Sequence, residues 1–448
     1  MLHRLSVPRR AGFVALTVLA GACFLPDLDL AGRPCPCADG FVCDAATQTC
    51  VTDPSGTGST AETASSTGVG GQTSSTTSGM STTSTASSAS SGTGGAPGVP
   101  ATPLVRSGAT ADGAIGLTVQ GAFRLEFTAT TNWQLQRWFD LPTSDVVNLA
   151  SQVQRNMLHE PIEMEVGGIW GGADEAQFVD VSLTDETPAR AILDTTLRYP
   201  SGGAFTVHNT YSVYASGRVG VRVVIQNLTA SDQTFDASEV HHTSVNEMLA
   251  WAHSTLANGD AAMFQRTDGA TPLPTVLTMS FGTVGSPGQD FPTNYYWDTG
   301  GQTTLMPGQT FARTGEFQVG LGDQTVGTLS SRAADVLAPS LVVTGAGVGN
   351  GYDSGAAAYV IQASGGEVSF GASADVDRFA PAFVIDGWSA QDWTLTRDGM
   401  TVATSAMPIG FGVLVHHDVA ASRLVVVSVD AFRTTTPAAQ RTFTLTPI

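Results

Sequence analysis

A chain of 448 residues with 20 basic and 39 acidic side chains carries a net charge of −19, which argues against a nucleic-acid partner. Every basic residue is Arg, so Schiff-base chemistry, pyridoxal phosphate attachment and a phosphate-loop lysine are excluded. The five Cys all precede residue 51, which leaves the main body without a thiol nucleophile or a Cys-based zinc site.

The first residues set an address. Arg4, Arg9 and Arg10 precede an apolar run from Ala11 to Ala22, the layout of a secretory signal and too short to favour a membrane span. Residues 1–22 are therefore expected to be a signal peptide. The segment Leu19-Ala20-Gly21-Ala22-Cys23 resembles the bacterial lipoprotein signal, and that resemblance implies lipidation of Cys23. Residues 23–51 would then be an anchor followed by a Cys-rich module. Cys35, Cys37, Cys43 and Cys50 read as two disulfides in an exported chain. Cys35 and Cys37 are too close to join comfortably. That leaves Cys35–Cys43 with Cys37–Cys50, or Cys35–Cys50 with Cys37–Cys43. The phrase CPCADGFVCDAATQTC resembles short modules that follow the anchor in surface lipoproteins of myxobacteria. Residues 52–103 are nearly all Ser, Thr, Gly and Ala and cannot build a core. They are expected to be a flexible tether with a reach on the order of 40 Å. The expected location is the outer membrane or cell surface, with the membrane touched through the lipid alone.

From Leu104 onwards short alternating segments separated by turn signals predict an all-β chain. A large antiparallel sandwich is expected over 104–337 and a smaller β-sandwich over 338–448. Helical periodicity is confined to Ser144–Arg155, Ser244–Ser254 and a short connector at Ser330–Leu337. The clearest signal is FTVHNTYSVY-ASG-RVGVRVVIQN, Phe205 to Asn227. Its apolar residues recur with a period of two. A three-residue loop ending in Gly217 sets Tyr211 opposite Val221 and Val213 opposite Val219, so both apolar rows share one face. His208 then becomes a diagonal neighbour of Arg222 on the polar face.

Glu239, His241, His242, Glu247 and His253 cluster in sequence, but their spacing matches no HExxH-type metal motif. Ser244 and Glu247 fit a helix capping box. Asn294-Tyr295-Tyr296-Trp297-Asp298 combines ring faces with polar rims, as a sugar-stacking platform would. The run Gly345 to Gly351 fails the dinucleotide spacing and reads as a β-loop. His416-His417-Asp418 reads as the end of a strand entering a hairpin turn. There is no G-x-S-x-G elbow.

The hairpin, together with TTLMPGQTFARTGEFQVGLG, resembles the galactose-mutarotase-like β-supersandwich of sugar epimerases, glycoside hydrolases and polysaccharide lyases. The resemblance covers about 104–325 and implies the fold and a carbohydrate partner. The function expected is carbohydrate recognition on the polar face of the large sandwich, through His208, Arg222, Tyr295, Tyr296 and Trp297. The alternatives are a polysaccharide lyase or glycoside hydrolase on the same face, or a structural or adhesive surface protein. For a lyase, His208 or His241 would be the base and Arg222 the charge neutraliser. No metal, cofactor or nucleic acid is expected.

Overall fold

A computed structural model describes residues 41–44, 49–52, 101–107, 113–152, 157–167, 169–172, 176–199, 203–255, 261–268, 274–281, 287–288, 293–297, 302–319, 338–373, 375, 378–432 and 437–448. The expected signal segment, Cys23, Cys35, Cys37, nearly all of the expected tether and the connector expected at 330–337 lie outside them. The chain divides into Met1–Thr83 and Ser84–Ile448. In the first unit Phe41–Asp44 pairs with Thr49–Thr52, and Cys43 stands opposite Cys50 in the register. Neither pairing favoured from the sequence joins those two.

The second unit is all-β. An eight-stranded antiparallel sheet runs in the order Trp251–Thr255, Ala261–Arg266, Thr275–Phe281, Thr310–Gln318, Arg218–Asn227, Phe205–Tyr214, Arg190–Tyr199 and Gln177–Thr184. A ten-stranded sheet includes Asn294–Trp297, Gln233–Ser244, His159–Val166, Gln134–Asp140, Phe123–Thr128, Ile115–Val119 and Leu104–Arg106 in that order. Their inner faces share one core, which holds Phe205, Val207, Tyr211, Val213, Val219, Val221, Val223 and Ile225 from the hairpin. Full burial of such side chains stabilises by roughly 1.5–3 kcal/mol each before entropy is counted.

The hairpin register is the predicted one, with Tyr211 opposite Val221 and Val213 opposite Val219. Gly217 closes the loop at φ 81°, a conformation that favours glycine. The core also carries a polar row. His159 stacks on Phe317 with centroids 5.3 Å apart, Tyr211 donates from its hydroxyl to Gln134 Oε1 at 2.9 Å, and Asn209 Nδ2 donates to Thr195 Oγ1 at 3.3 Å. Burial pushes the Tyr211 hydroxyl well above its usual range, so it remains a donor.

A third sheet of nine strands, eight of them on its main path, lies within 341–447. Two of its strands, Ala382–Asp386 and Arg423–Ser428, are apolar on both faces for a visible reason. Ala382, Val384, Val425 and Val427 pack against the large sandwich, while Phe383, Ile385, Leu424 and Val426 build a separate core. Alternation along these two strands therefore serves two interiors at once.

Three local expectations are corrected. Ser144–Arg155 shows no helix among its described residues; it runs as turns with a bridge from Ala150 to Val245. Ser244–Ser254 is not a helix either. Ser244 ends a strand and Trp251–Thr255 forms another. Glu247 does not complete a capping box but accepts from the Ser151 hydroxyl and the Gln152 N–H. A long-range pairing partner thus overrides local helix propensity. The glycine run belongs to the strand Leu341–Asp353, with register shifts between Gly345 and Gly347 and between Gly349 and Gly351. Glycine suits such bulges.

Candidate functional site

His208 and Arg222 occupy the outer face of the eight-stranded sheet, as expected. Thr210 pairs with Arg222 and His208 with Val224, which makes them diagonal neighbours. His208 is exposed, and its Nδ1 lies 3.1 Å from Thr196 Oγ1. Beside it Thr210 Oγ1 donates to Asp194 Oδ1 at 2.6 Å. Arg222, also exposed, is already engaged by a carboxylate. Its Nη2 lies 2.9 and 3.1 Å from the two oxygens of Asp353. The turn that carries Asp353 lies on the sheet: a Cβ on Gly220 would sit 2.7 Å from the backbone of Ala356 and Ala357. Tyr214 also donates its hydroxyl to the Ala356 carbonyl at 2.6 Å. The turn that joins the strands Leu341–Asp353 and Ala358–Ala372 thus occupies part of the polar face beside Arg222, whose side chain stays 46% exposed.

The aromatic platform does not join it. Asn294–Trp297 lies in the ten-stranded sheet, opposite Gln233–Ser244. Tyr295 faces the core at 3% exposure, 5.7 Å from the His253 ring. Burial lowers the His253 pKa. The side chains of Tyr296, Trp297, Glu239 and His241 lie outside the described residues. His242 is buried with Nε2 3.1 Å from Ser244 Oγ, on a strand whose register sets it opposite Glu160. His416 and His417 end the strand Val413–Asp418, as the hairpin reading expected. His416 Nε2 lies 3.8 Å from Asp185. Among the described residues no group of three His, Cys, Asp or Glu side chains could hold a metal ion.

A concave site lies elsewhere, and the sequence reading missed it. On the ten-stranded sheet a cleft of about 770 Å³ opens over the paired strands Ile115–Val119 and Phe123–Thr128, beside the turn 141–145. That volume falls in the range of small-ligand sites. Arg124 and Glu126 stand two apart on one strand and so share a face. Glu126 is 3% exposed and is held by two guanidinium groups. Arg124 Nε lies 2.9 Å from Oε1 and Arg137 Nη1 lies 3.0 Å from Oε2. The Arg124 guanidinium also sits 4.0 Å from the Phe139 ring centroid and donates from Nη2 to the Asp145 carbonyl at 3.1 Å. These contacts hold it in one orientation. Hydroxyls line the rest. Ser107 and Thr118 hydrogen-bond to each other through their side chains, and Thr143 and Ser144 face them across the opening, with Gln120 beside them.

No family model matches the chain, and no curated protein matches it. Solved structures do. A polysaccharide lyase is 10% identical over 69% of this chain and 42% of its own, with a TM-score of 0.33. This chain therefore spans less than half of that lyase. An aldose 1-epimerase, so described from Klebsiella pneumoniae, is 10% identical over 50% of this chain and 84% of its own, with a TM-score of 0.36. An alpha-galactosidase from Geobacillus stearothermophilus is 6% identical over 51% of this chain and 42% of its own, with a TM-score of 0.33.

Proposed function

We propose that this chain recognises carbohydrate, and that the cleft around Arg124 and Glu126 is where it does so. The observation that carries the reading is the lining itself. Fixed guanidinium and carboxylate groups alternate with the hydroxyls of Ser107, Thr118, Thr143 and Ser144 around one opening. A sugar presents hydroxyls that both donate and accept, in several directions. Such a ligand satisfies a mixed lining better than a purely apolar or singly charged guest does. Glu126 is neutralised by Arg124 and by Arg137, which lies outside the lining, so the opening carries little charge for a guest to match, which favours a neutral glycan. The pre-held Arg124 fork loses little freedom when it binds.

The expected result is retention of a neutral oligosaccharide on a glycan array, weakened about tenfold or more by Arg124→Ala, one lost charged hydrogen bond being worth about 1.5–3 kcal/mol. His208→Ala, on the other sheet, should leave retention unchanged. Equal loss from both variants, or no retention of any glycan, would refute the cleft. The same assay run for product release separates recognition from turnover. The anchor at Cys23 belongs to this proposal. Metabolic labelling with an alkyne fatty acid should mark the full chain and fail in Cys23→Ser; labelling of both removes the anchor.

A further inference from the structure

The wall of the cleft formed by the turn 141–145 is fastened by a buried carboxyl group. Asp140 ends the strand Gln134–Asp140 opposite Phe123. Its backbone carbonyl accepts from the N–H groups of Thr143 at 3.0 Å and Ser144 at 2.9 Å. Its side-chain Oδ2 accepts from the Thr143 hydroxyl at 3.0 Å. Thr143 and Ser144 both line the cleft. The Asp140 side chain is therefore the inner end of the turn whose outer end meets a guest.

The charges around it are lopsided. Asp140 is 4% exposed, and among the described residues no cation lies within ion-pair distance of it. Arg266, the cation that faces it from the strand Ala261–Arg266, is bonded through Nε to Asp268 Oδ1 at 3.0 Å. The neighbouring strand sets Phe123 opposite it. Asp145, at the far end of the turn, is exposed. An ionised Asp140 thus pays for burial with little beyond the Thr143 hydrogen bonds in return.

We propose that Asp140 is a proton-operated latch on the cleft: taking up a proton from solvent seats the turn, and losing it favours a state in which the turn lifts and the carboxylate reaches water. The latch rests on the cleft being the binding site only for its consequence, since the motion of the turn can be read without any ligand. Burial raises the Asp140 pKa from 3.8 to about 6, against the lowering effect of Thr143 and Arg266. The sign follows from the direction. A carboxyl group whose folded pKa lies above its free value contributes stability at low pH, and that contribution is lost as pH rises from about 4 to about 6. The seated turn should therefore be firmer, and a guest in the cleft held more tightly, in mildly acidic solution.

Hydrogen exchange at the amides of Thr143, Ser144 and Asp145 tests it on the full chain. After correction for intrinsic rates, opening should increase about 25-fold between pH 4.5 and 7.5. Asp140→Asn, which keeps an acceptor for Thr143 but cannot ionise, should show a flat profile. Carbon-detected titration of the Asp140 carboxyl in the unsubstituted chain should give a midpoint near 6, and this reading stands even if the variant does not fold. A midpoint near 4, a flat profile in the unsubstituted chain, or a rise that persists in the variant would each overturn the latch. If the latch holds and no glycan is retained at any pH, it is the carbohydrate reading that falls.

Discussion

Arg218→Met is expected to cost about 3–5 kcal/mol of folding stability, because it takes the cation from a buried carboxylate. Arg218 and Glu316 have side chains at 2% and 0% exposure, with Nη1 2.9 Å from Oε1. The guanidinium also donates from Nη1 to the Tyr352 hydroxyl at 3.1 Å and from Nη2 to the Phe379 carbonyl, and Tyr352 donates its own hydroxyl to Glu316. One side chain thus ties the eight-stranded sheet to the strand Leu341–Asp353 and to Phe379. Removing it takes the guanidinium from Glu316 in an interior where a carboxylate that loses its cation is expensive. Total stability for such a chain is of order 5–15 kcal/mol, so the loss is a large share of it. The pair itself need not be stabilising. Arg218→Met combined with Glu316→Leu should recover much of the loss, since an apolar pair of similar volume avoids desolvation. Urea unfolding followed by fluorescence checks both. A single variant within about 1 kcal/mol of the parent would show that water reaches Glu316 and that the site is not sealed.

Much of this fold is legible in the chain, and the reason is periodicity. The alternation from Phe205 to Ile225 fixed which residues are buried, and a three-residue loop fixed the register. The site was not legible, for reasons that differ residue by residue. Arg222 has the expected neighbours on its own sheet, but its partner Asp353 is 131 residues away, and no local pattern announces a turn laid over a sheet. Tyr295 lies in an aromatic run with polar ends that reads as a stacking platform, yet its strand turns it inward. Arg124 and Glu126 could have been picked out. A strand reading Phe-Arg-Leu-Glu-Phe, Phe123 to Phe127, alternates so cleanly that both charges must share the outer face. What the sequence does not show is that the turn 141–145 folds across that face and makes it concave. Ser244 fits a helix cap locally, and the strand ladder opposite His159–Val166 supplies more hydrogen bonds than a cap could.

Gly217→Ala should destabilise by about 3 kcal/mol or more, through two separable effects. Its φ of 81° costs a residue with a Cβ about 1–2 kcal/mol. The space is also taken. A Cβ there would lie 2.3 Å from the Val319 carbonyl oxygen and 3.3 Å from Phe123 Cε1. Retreat is costly, because Val319 donates its N–H to the Gly217 carbonyl at 3.0 Å and Gly217 donates its own to Tyr214 at 3.0 Å. Moving the loop away from Val319 breaks one bond or the other. Gly308 provides the comparison. Its φ is 75°, and nothing lies within 4 Å of a Cβ built on it. Gly308→Ala should therefore carry the conformational cost alone, about 1–2 kcal/mol. The difference between the two variants, measured by chemical unfolding with unchanged m-values, is the cost of the clash. Two variants of equal stability would mean that the loop yields freely toward Phe123, and that the hairpin register is held by its strands rather than by its turn.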